Sequence, residues 1–295
     1  MHKAHSHLVL AVFMILCVSW SLALAQEPAD NTGQDFTRPT GKLELGVVHM
    51  DMIADAWSES IVAKASLPCT LEGLWKASIS AEQPYTWIKG ATRKNPYGRR
   101  LKGFSEVVLE GLVIAPPEGG WTWAAGAQWI PPSASKDELG TGRHQLVPTL
   151  GARYDLGGWM QGAWCGARLG HAFDVAGYEG YPHISQTVFQ PMLNIDLPGS
   201  WFLTFSPEAR YDWKNEEWFI PFDITAGKLA QNGLVVLFTY RSAINDDMLL
   251  YVNTFELRVR YLFDADVRTI LSGASSAVND VLGGTPMDIP EPKGP

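Results

Sequence analysis

The sequence predicts an all-β protein, a transmembrane antiparallel up-and-down β-barrel of about twelve strands, within a range of roughly ten to fourteen. Three observations support this fold class: an export signal at the N-terminus, long segments in which apolar and polar residues alternate, and an aromatic-rich composition. The chain has 12 Trp, 9 Tyr and 12 Phe but only 18% charged residues. Aromatic residues favour strands, and Trp and Tyr favour membrane interfaces.

Residues 1–25 have the features of a secretory signal peptide. Lys3 precedes the apolar run 8–18, and Ala23-Leu24-Ala25 forms a small-residue cleavage site. The run is shorter than the roughly 20 residues that a membrane-spanning helix needs, which favours cleavage over an uncleaved anchor. The predicted mature chain therefore begins at Gln26 and is exported, with the bacterial outer membrane as its expected destination.

Period-two alternation defines the strands. It is clearest in segment 255–263, where the odd-numbered residues are apolar or aromatic and Glu256, Arg258 and Arg260 occupy the other face. Strands of soluble proteins have about 5 or 6 residues, whereas a tilted membrane strand needs about 9 to 11. The predicted strands, of which the first three are weaker, are 42–51, 58–66, 72–80, 104–115, 121–131, 144–156, 159–172, 185–197, 201–213, 217–228, 233–244 and 255–263.

The barrel is expected to span residues 42–263. The polar segment 26–41, which contains Pro and Gly, is predicted to be flexible. The tail 264–295 is expected in the periplasm, and its apolar residues recur at helical spacing, so a short amphipathic helix is predicted there. This helix could dock on the mouth of the barrel, enter the lumen or extend freely. The apolar residues of the tail are Val267, Ile270, Leu271, Ala274, Val278, Val281 and Leu282.

The predicted connections tend to alternate between short and long. The short set, which would be periplasmic, is 116–120, 157–158, 198–200 and 229–232. The long set, which would be extracellular, is 81–103, 132–143, 173–184 and 245–250. Only the connection 214–216 departs from the alternation, because it is short although it would be extracellular. This asymmetry is typical of an outer-membrane barrel, whereas a soluble β-sandwich has no reason to sort its loops in this way.

The polar face of the predicted strands carries six acidic and six basic residues that are candidates to line the lumen. Two interpretations are open: a network of mutually neutralising charges that fills a narrow barrel, or a polar track that selects permeants by charge. The candidates are Glu106, Glu110, Arg153, Arg168, Glu208, Arg210, Asp212, Asp223, Arg241, Glu256, Arg258 and Arg260.

Aromatic residues near the ends of the predicted strands are candidates for two girdles at the membrane interfaces. They are Trp121, Trp129, Trp201, Trp213, Trp218, Tyr261 and Phe263.

No motif of catalytic or metal-binding chemistry stands out. The histidines lack the spacing of metal ligands, and Cys69 and Cys165 could form one disulfide or remain two small apolar residues. His183 and Ser185 are close in sequence, but no acid or oxyanion motif accompanies them. Without Lys3 the mature chain has 22 basic and 31 acidic residues, a balance of −9 that argues against nucleic acid. We therefore expect neither a cofactor nor an enzyme.

The barrel portion also resembles a known family. The loop 138–142, Pro148, the segment Ser185-Gln186-Thr187-Val188-Phe189-Gln190-Pro191 and the segment Leu197-Pro198-Gly199-Ser200-Trp201-Phe202-Leu203, together with 218–221 and 255–263, are similar to transporter-like barrels known as "meta-pathway of phenol degradation" proteins. The likeness covers about 104 to 263, and the 32-residue tail after Phe263 departs from the usual ending. The resemblance implies an outer-membrane barrel that admits small, often hydrophobic compounds.

The expected function is a passive channel. Its expected partners are a small-molecule permeant, outer-membrane lipid, lipopolysaccharide and the barrel-assembly machinery. The basic residues Arg93, Lys94, Arg99, Arg100 and Lys102 fall in the predicted extracellular connection 81–103, where they could meet lipopolysaccharide phosphates or simply be solvated. Two alternatives stay open: a barrel enzyme that acts on lipids or esters, and a structural barrel with a plugged lumen.

Overall fold

The computed structural model describes residues 31–92, 95–264 and 266–268. The predicted signal peptide 1–25, residues 26–30 and nearly all of the predicted tail lie outside the described residues. Within this part of the chain, no helix is long and apolar enough to cross a membrane.

Twelve antiparallel strands form a closed barrel, which confirms the predicted fold class. Two of the strands are interrupted, so fourteen segments are distinguished: β4 and β5 both pair with β3, and β10 and β11 both lie between β9 and β12. β1 pairs with β14 and closes the barrel. The segments are β1 Gly41–Asp51, β2 Trp57–Thr70, β3 Lys76–Lys89, β4 Leu101–Phe104, β5 Val108–Ile114, β6 Trp121–Ile130, β7 Arg143–Asp155, β8 Trp164–Gly177, β9 Ser185–Leu197, β10 Trp201–Phe205, β11 Ala209–Asp212, β12 Glu217–Leu229, β13 Leu234–Asp246 and β14 Asn253–Phe263.

The wall is apolar outside and polar inside, because alternate residues of each strand point to opposite faces. On β1, Leu43 and Leu45 are 54% and 58% exposed, whereas Glu44 between them is 5% exposed. A soluble protein would show the reverse, since its apolar side chains turn inward. An apolar outer band around a polar interior is the arrangement of a membrane barrel.

β3 is longer than its predicted extent of 72–80, and the predicted connection 81–103 shrinks to 90–100. The chain remains a strand through Pro84, which cannot donate a hydrogen bond. The carbonyl of Pro84 accepts from the backbone amide of Ser105, so the missing donor faces the interruption at 105–107 between β4 and β5. A proline is tolerated where the neighbouring strand needs no donor.

β8 begins at Trp164 rather than at 159, because residues 156–163 form a compact turn. The backbone amides of Trp159 and Met160 both donate to the carbonyl of Leu156, and Gly162 has a φ of 75°. Trp159 and Met160 extended the apolar alternation in the sequence, although they belong to the turn.

We call the end where β1 begins and β14 ends the terminal end, and the opposite end the far end. Residues 31–40, which precede β1, turn into the barrel at the terminal end and form the plug segment described below. The flexibility predicted for segment 26–41 stays a prediction. The carboxylate of Asp266 accepts from the backbone amide of Thr70 at 2.7 Å, so the chain beyond β14 crosses towards the connection 71–75.

Candidate functional site

The inner wall carries a continuous chain of charged side chains across β1 and β14. Antiparallel pairing places Glu44 opposite Arg260. Glu44 Oε2 accepts from Arg258 Nη1 at 2.9 Å and from Arg260 Nη2 at 3.3 Å. Lys42 Nζ lies 3.5 Å from Glu44 Oε1. One carboxylate thus contacts three cations on two neighbouring strands.

The chain continues onto β13 and β12. Glu256 Oε1 accepts from Arg258 Nε at 2.7 Å, and Glu256 Oε2 accepts from Arg241 Nη2 at 2.9 Å. Arg241 Nε donates to Asp223 Oδ2 at 2.6 Å. Since acids and bases alternate along this path, each charge removed from water has an opposite charge within hydrogen-bond distance.

The rest of the inner wall holds separate ion pairs. Arg168 on β8 donates to Glu110 on β5, which also accepts from Gln128 Nε2 at 3.1 Å. Lys64 Nζ lies 3.3 Å from Glu82 Oε2 in the β2–β3 pair. The contact between Arg168 and Glu110 joins strands that are not neighbours, so it crosses part of the lumen.

Four of the predicted lumen residues serve other contacts. Arg210 Nε donates to Glu208 Oε1 at 2.9 Å beside the interruption between β10 and β11. Asp212 accepts from the backbone amides of Lys214 and Asn215 at 2.8 and 3.2 Å and so holds the turn at the far end. Glu106 likewise holds a loop, since it accepts from the backbone amide of Thr141 at 2.6 Å.

The sequence interpretation missed several inward-facing charges. They are Lys42, Glu44, Lys64, Glu82, Arg143 and Asp174. Lys42, Glu44 and Lys64 alternate with apolar residues in the first two predicted strands, whereas the other three lie just outside the predicted strands.

The plug segment, residues 31–40, lies against the inner wall near the terminal end. Asp35 is buried, and its Oδ2 lies 2.9 Å from Arg153 Nε. Arg260 Nη1 donates to the carbonyl of Thr32 at 2.6 Å, and Lys42 Nζ donates to the carbonyl of Gly33 at 3.1 Å. Charged side chains of the wall therefore bind both the backbone and a side chain of the plug segment.

An aromatic side chain adds a further contact of the plug segment. The Arg168 guanidinium carbon lies 5.6 Å from the ring centroid of Phe36, within the range of a cation–π interaction. The ring packs so closely on Gly151 that a Cβ at this position would lie 2.6 Å from it. Between the plug segment and the wall remains a mainly polar cavity of about 260 Å³, lined in part by Lys42, Lys64 and Arg168.

The far end is bordered by loops that are bound back to the wall. Asp174 accepts from the backbone amide of Ile184 at 2.8 Å and contacts His183 Nδ1 at 2.8 Å. In the connection 247–252, the ring of Tyr251 packs edge-on against the inward-facing Phe219 at 4.9 Å. Burial raises the pKa of Tyr251 to about 12, so its hydroxyl stays protonated at neutral pH.

The candidate girdle residues lie on the outer face, in a group at each end of the barrel. At the far end, Tyr211 contacts both Trp218 and Trp213, with ring centroids 4.6 and 4.8 Å apart. At the terminal end, Trp121 packs on Tyr154 at 4.8 Å. The terminal-end group is Trp121, Trp201, Tyr261 and Phe263, and the far-end group is Trp129, Trp213 and Trp218.

The contacts that an esterase would need are not formed within the described part of the chain. His183 is bound to Asp174, but no hydrogen bond joins His183 to Ser185 among these residues. Nor do the described residues contain a group of three His, Cys, Asp or Glu that could hold a metal ion. Cys69 and Cys165 are both free, on β2 and β8.

Solved structures with the same fold are outer-membrane proteins. An outer-membrane channel from Pseudomonas putida F1 is similar over 81% of this chain and 100% of its own, with a TM-score of 0.64 at 9% identity. The NanC porin is similar over 76% of this chain and 100% of its own, with a TM-score of 0.51 at 8% identity. The outer-membrane phospholipase A of Escherichia coli reaches a TM-score of only 0.42, at 13% identity over 81% of this chain and 95% of its own, which carries no weight.

No protein-family model and no curated protein sequence matches the chain. At identities this low, the solved structures establish the fold and not the permeant. The phenol-degradation family name therefore stays a prediction. The fold of this chain is that of outer-membrane β-barrel channels and porins.

Proposed function

We propose that this protein is an outer-membrane channel for the passive uptake of small molecules, and that it is not an enzyme. The observation that carries the proposal is a closed wall of twelve strands whose outer face is apolar and whose inner face is charged. A barrel of this kind encloses a polar route across an apolar layer. The cavity of about 260 Å³ beside the plug segment has room for water and small solutes.

The charged inner wall limits which solutes can pass. Acidic and basic side chains alternate along Asp223, Arg241, Glu256, Arg258 and Glu44, so neither sign dominates that part of the wall. A channel with balanced charges should select by size more strongly than by the sign of the permeant. Hydrophobic or aromatic permeants are proposed from the family resemblance, since the wall itself does not specify them.

We propose that the far end faces the cell exterior. Two of the longest connections, 90–100 and 131–142, are at this end, whereas 198–200 and 230–233 at the terminal end are short. Bacterial barrels have long extracellular loops and short periplasmic turns.

Cysteine labelling of intact cells tests this orientation. Tyr97 at the far end is 82% exposed and Trp159 at the terminal end is 95% exposed. In a variant without Cys69 and Cys165, a membrane-impermeant maleimide should label Tyr97→Cys and not Trp159→Cys until the cells are lysed. The opposite labelling pattern would reverse the orientation.

Conductance tests the channel itself. The folded mature protein, reconstituted into planar bilayers, should carry discrete current steps, and liposomes that contain it should swell in small solutes. A panel of a neutral sugar, an uncharged aromatic compound and an aromatic carboxylate would define the permeant class. Protein that folds but produces neither current steps nor swelling would overturn the proposed function.

A further inference from the structure

A basic patch lies on the outer surface at the far end, between β3 and β4. Residues 89–102 contain six basic residues and no acidic residue, in a chain whose net charge is −8. We define the basic patch by three of them, Arg99, Arg100 and Lys102, which are exposed. None of the three has an ion-pair partner among the residues that the structure describes.

The basic patch stands next to the lipid-facing aromatic residues. Lys102 lies opposite Trp87 in the β3–β4 pair, and Phe104 lies opposite Tyr85. The rings of Tyr85 and Phe104 are 5.0 Å apart, and those of Tyr85 and Trp87 are 4.8 Å apart. Aromatic groups of this kind mark the membrane interface.

Strand geometry sets the height of the cations above that interface. Phe104 and Lys102 are two residues apart on β4, and Arg100 precedes Lys102 by two residues, so all three have outward-facing positions. With a rise of about 3.4 Å per residue, Lys102 and Arg100 lie about 7 and 14 Å along the strand direction from Phe104. The cations therefore border the apolar layer at the level of lipid head groups.

The loop that carries the basic patch is ordered by a buried side chain. Asn95 Nδ2 donates to the carbonyls of Gly90 and Arg99 at 3.1 and 2.7 Å. The backbone amide of Arg99 donates to Asn95 Oδ1 at 3.2 Å. These bonds fix the backbone from which Arg99 and Arg100 project, so less ordering is needed when a ligand binds.

We propose that the basic patch binds the phosphates of lipopolysaccharide. Arginine and lysine are suited to phosphate oxygens, and two cations spaced along the strand can contact a lipid that bears more than one phosphate. The nearby acidic side chains of Asp51 and Glu59 contact His49 on β1, at 3.2 and 3.5 Å, and so point away from β4. The choice of lipopolysaccharide over a phospholipid rests on the proposed orientation, which exposes the far end to the outer leaflet.

Binding can be measured on the purified mature protein in detergent, independently of conductance. Rough lipopolysaccharide is titrated against the wild type and against the triple variant Arg99→Ala, Arg100→Ala, Lys102→Ala. The triple variant should bind about tenfold more weakly, because three charge-assisted contacts are lost. Higher ionic strength should weaken wild-type binding, since exposed charges are screened.

Control variants distinguish the effect of the basic patch on binding from the effect of net charge. The variant Lys136→Ala, Lys214→Ala removes two exposed cations from other far-end loops and should bind like the wild type. If the triple variant does not fold, the milder variant Arg100→Gln, Lys102→Gln replaces it. This variant leaves the Asn95 contacts in place and should still bind lipopolysaccharide more weakly than the wild type.

Two lipids complete the experiment. Enzymatically dephosphorylated lipopolysaccharide and phosphatidylglycerol should both bind more weakly to the wild type than lipopolysaccharide does. Equal affinity of the wild type and both basic-patch variants would overturn the proposal. Undiminished binding of the dephosphorylated lipid, or of phosphatidylglycerol, would also overturn it.

Discussion

The two ends of the barrel are closed in different ways. At the terminal end, the plug segment lies in the lumen, belongs to no strand and continues directly into β1 at Gly41. At the far end, the loops are joined to strands on both sides and are bound back by Asp174, Asp212 and Asp246. The plug segment can therefore leave without breaking any strand pairing, whereas a far-end loop cannot move far from its strands.

This difference indicates where the opening of the channel is set. The plug segment is held by side-chain contacts from Arg153, Arg260 and Lys42, each of which can be lost separately. The far-end loops continue into strands on both sides and border the lumen at that end. We infer that the terminal end controls the conductance of the channel. The following variants test the packing and the contacts of the two ends, from the largest expected effect to the smallest.

Phe202→Ala should cause the largest loss of stability. Phe202 points inward near the terminal end, is 1% exposed and packs with Val235 and Leu237. Its ring also fills the space above Gly227, where a Cβ would lie 2.2 Å away. Removing a buried Phe side chain costs about 3 to 5 kcal/mol. Urea unfolding of the reconstituted protein, followed by Trp fluorescence, measures this loss.

Phe205→Ala is the matched control, because Phe205 is on the same strand but is 38% exposed on the outer face. It should destabilise the barrel less than Phe202→Ala. Equal losses for the two variants would show that the inner wall at the terminal end is not more densely packed than the outer face.

Asp35→Asn should loosen the plug segment. The substitution removes the charge that faces Arg153 Nε at 2.9 Å. The two atoms form a buried ion pair, and loss of its negative partner leaves the charge of Arg153 less well compensated, so the ratio of open to closed time should rise about tenfold or more. Single-channel recording measures the ratio.

Asp155→Asn provides the control for this prediction. Asp155 also contacts Arg153, at 3.5 Å, but it belongs to the wall, is 42% exposed and meets the plug segment at the exposed Arg38, at the longer distance of 3.7 Å. Its effect on the open time should be much smaller. Similar recordings from Asp35→Asn and the wild type would contradict a gating role of the plug segment.

Asp174→Asn should have the smallest effect. It removes the negative charge that contacts His183 and Arg143 but keeps an oxygen that can accept from the backbone amide of Ile184. The loop 178–184 should open more often, with hydrogen exchange at Ile184 faster by about fivefold, as expected from a loss of about 1 kcal/mol. Glu179→Gln, an exposed change in the same loop, is the control.

Conductance of the Asp174→Asn variant shows which end of the barrel controls opening. The current through Asp174→Asn should equal that of the wild type, because the plug segment is unaffected. A change in current as large as that of Asp35→Asn would place the control of opening at the far end instead.

The wall of the barrel could be predicted from the sequence because alternation is a local property. In 255–263 each residue reveals its face by its own polarity and that of its neighbours. Lys42 and Glu44 alternate with Leu43 and Leu45 in the same way, although the pattern over the rest of that strand is weaker. The full length of β3 could not be predicted, because Pro84 normally argues against a strand. The structure accommodates this proline only where the neighbouring strand is interrupted.

The plug segment could not be predicted in this way. Its partners Arg153 and Arg260 are more than a hundred residues distant in the sequence. A polar stretch with Pro and Gly suits solvent and a charged lumen equally well, because both offer hydrogen-bond partners. Only the closed barrel shows that the segment has a polar interior to enter.

Deletion of residues 31–39 tests the central claim most directly. The variant keeps Thr40, all twelve strands and the residues around the predicted cleavage site, so its barrel should fold as the wild type does. In planar bilayers at the same salt concentration, its single-channel conductance should be severalfold higher than that of the full mature chain. A folded deletion variant with unchanged conductance would contradict the account that the lumen is the route of passage and that the plug segment narrows it.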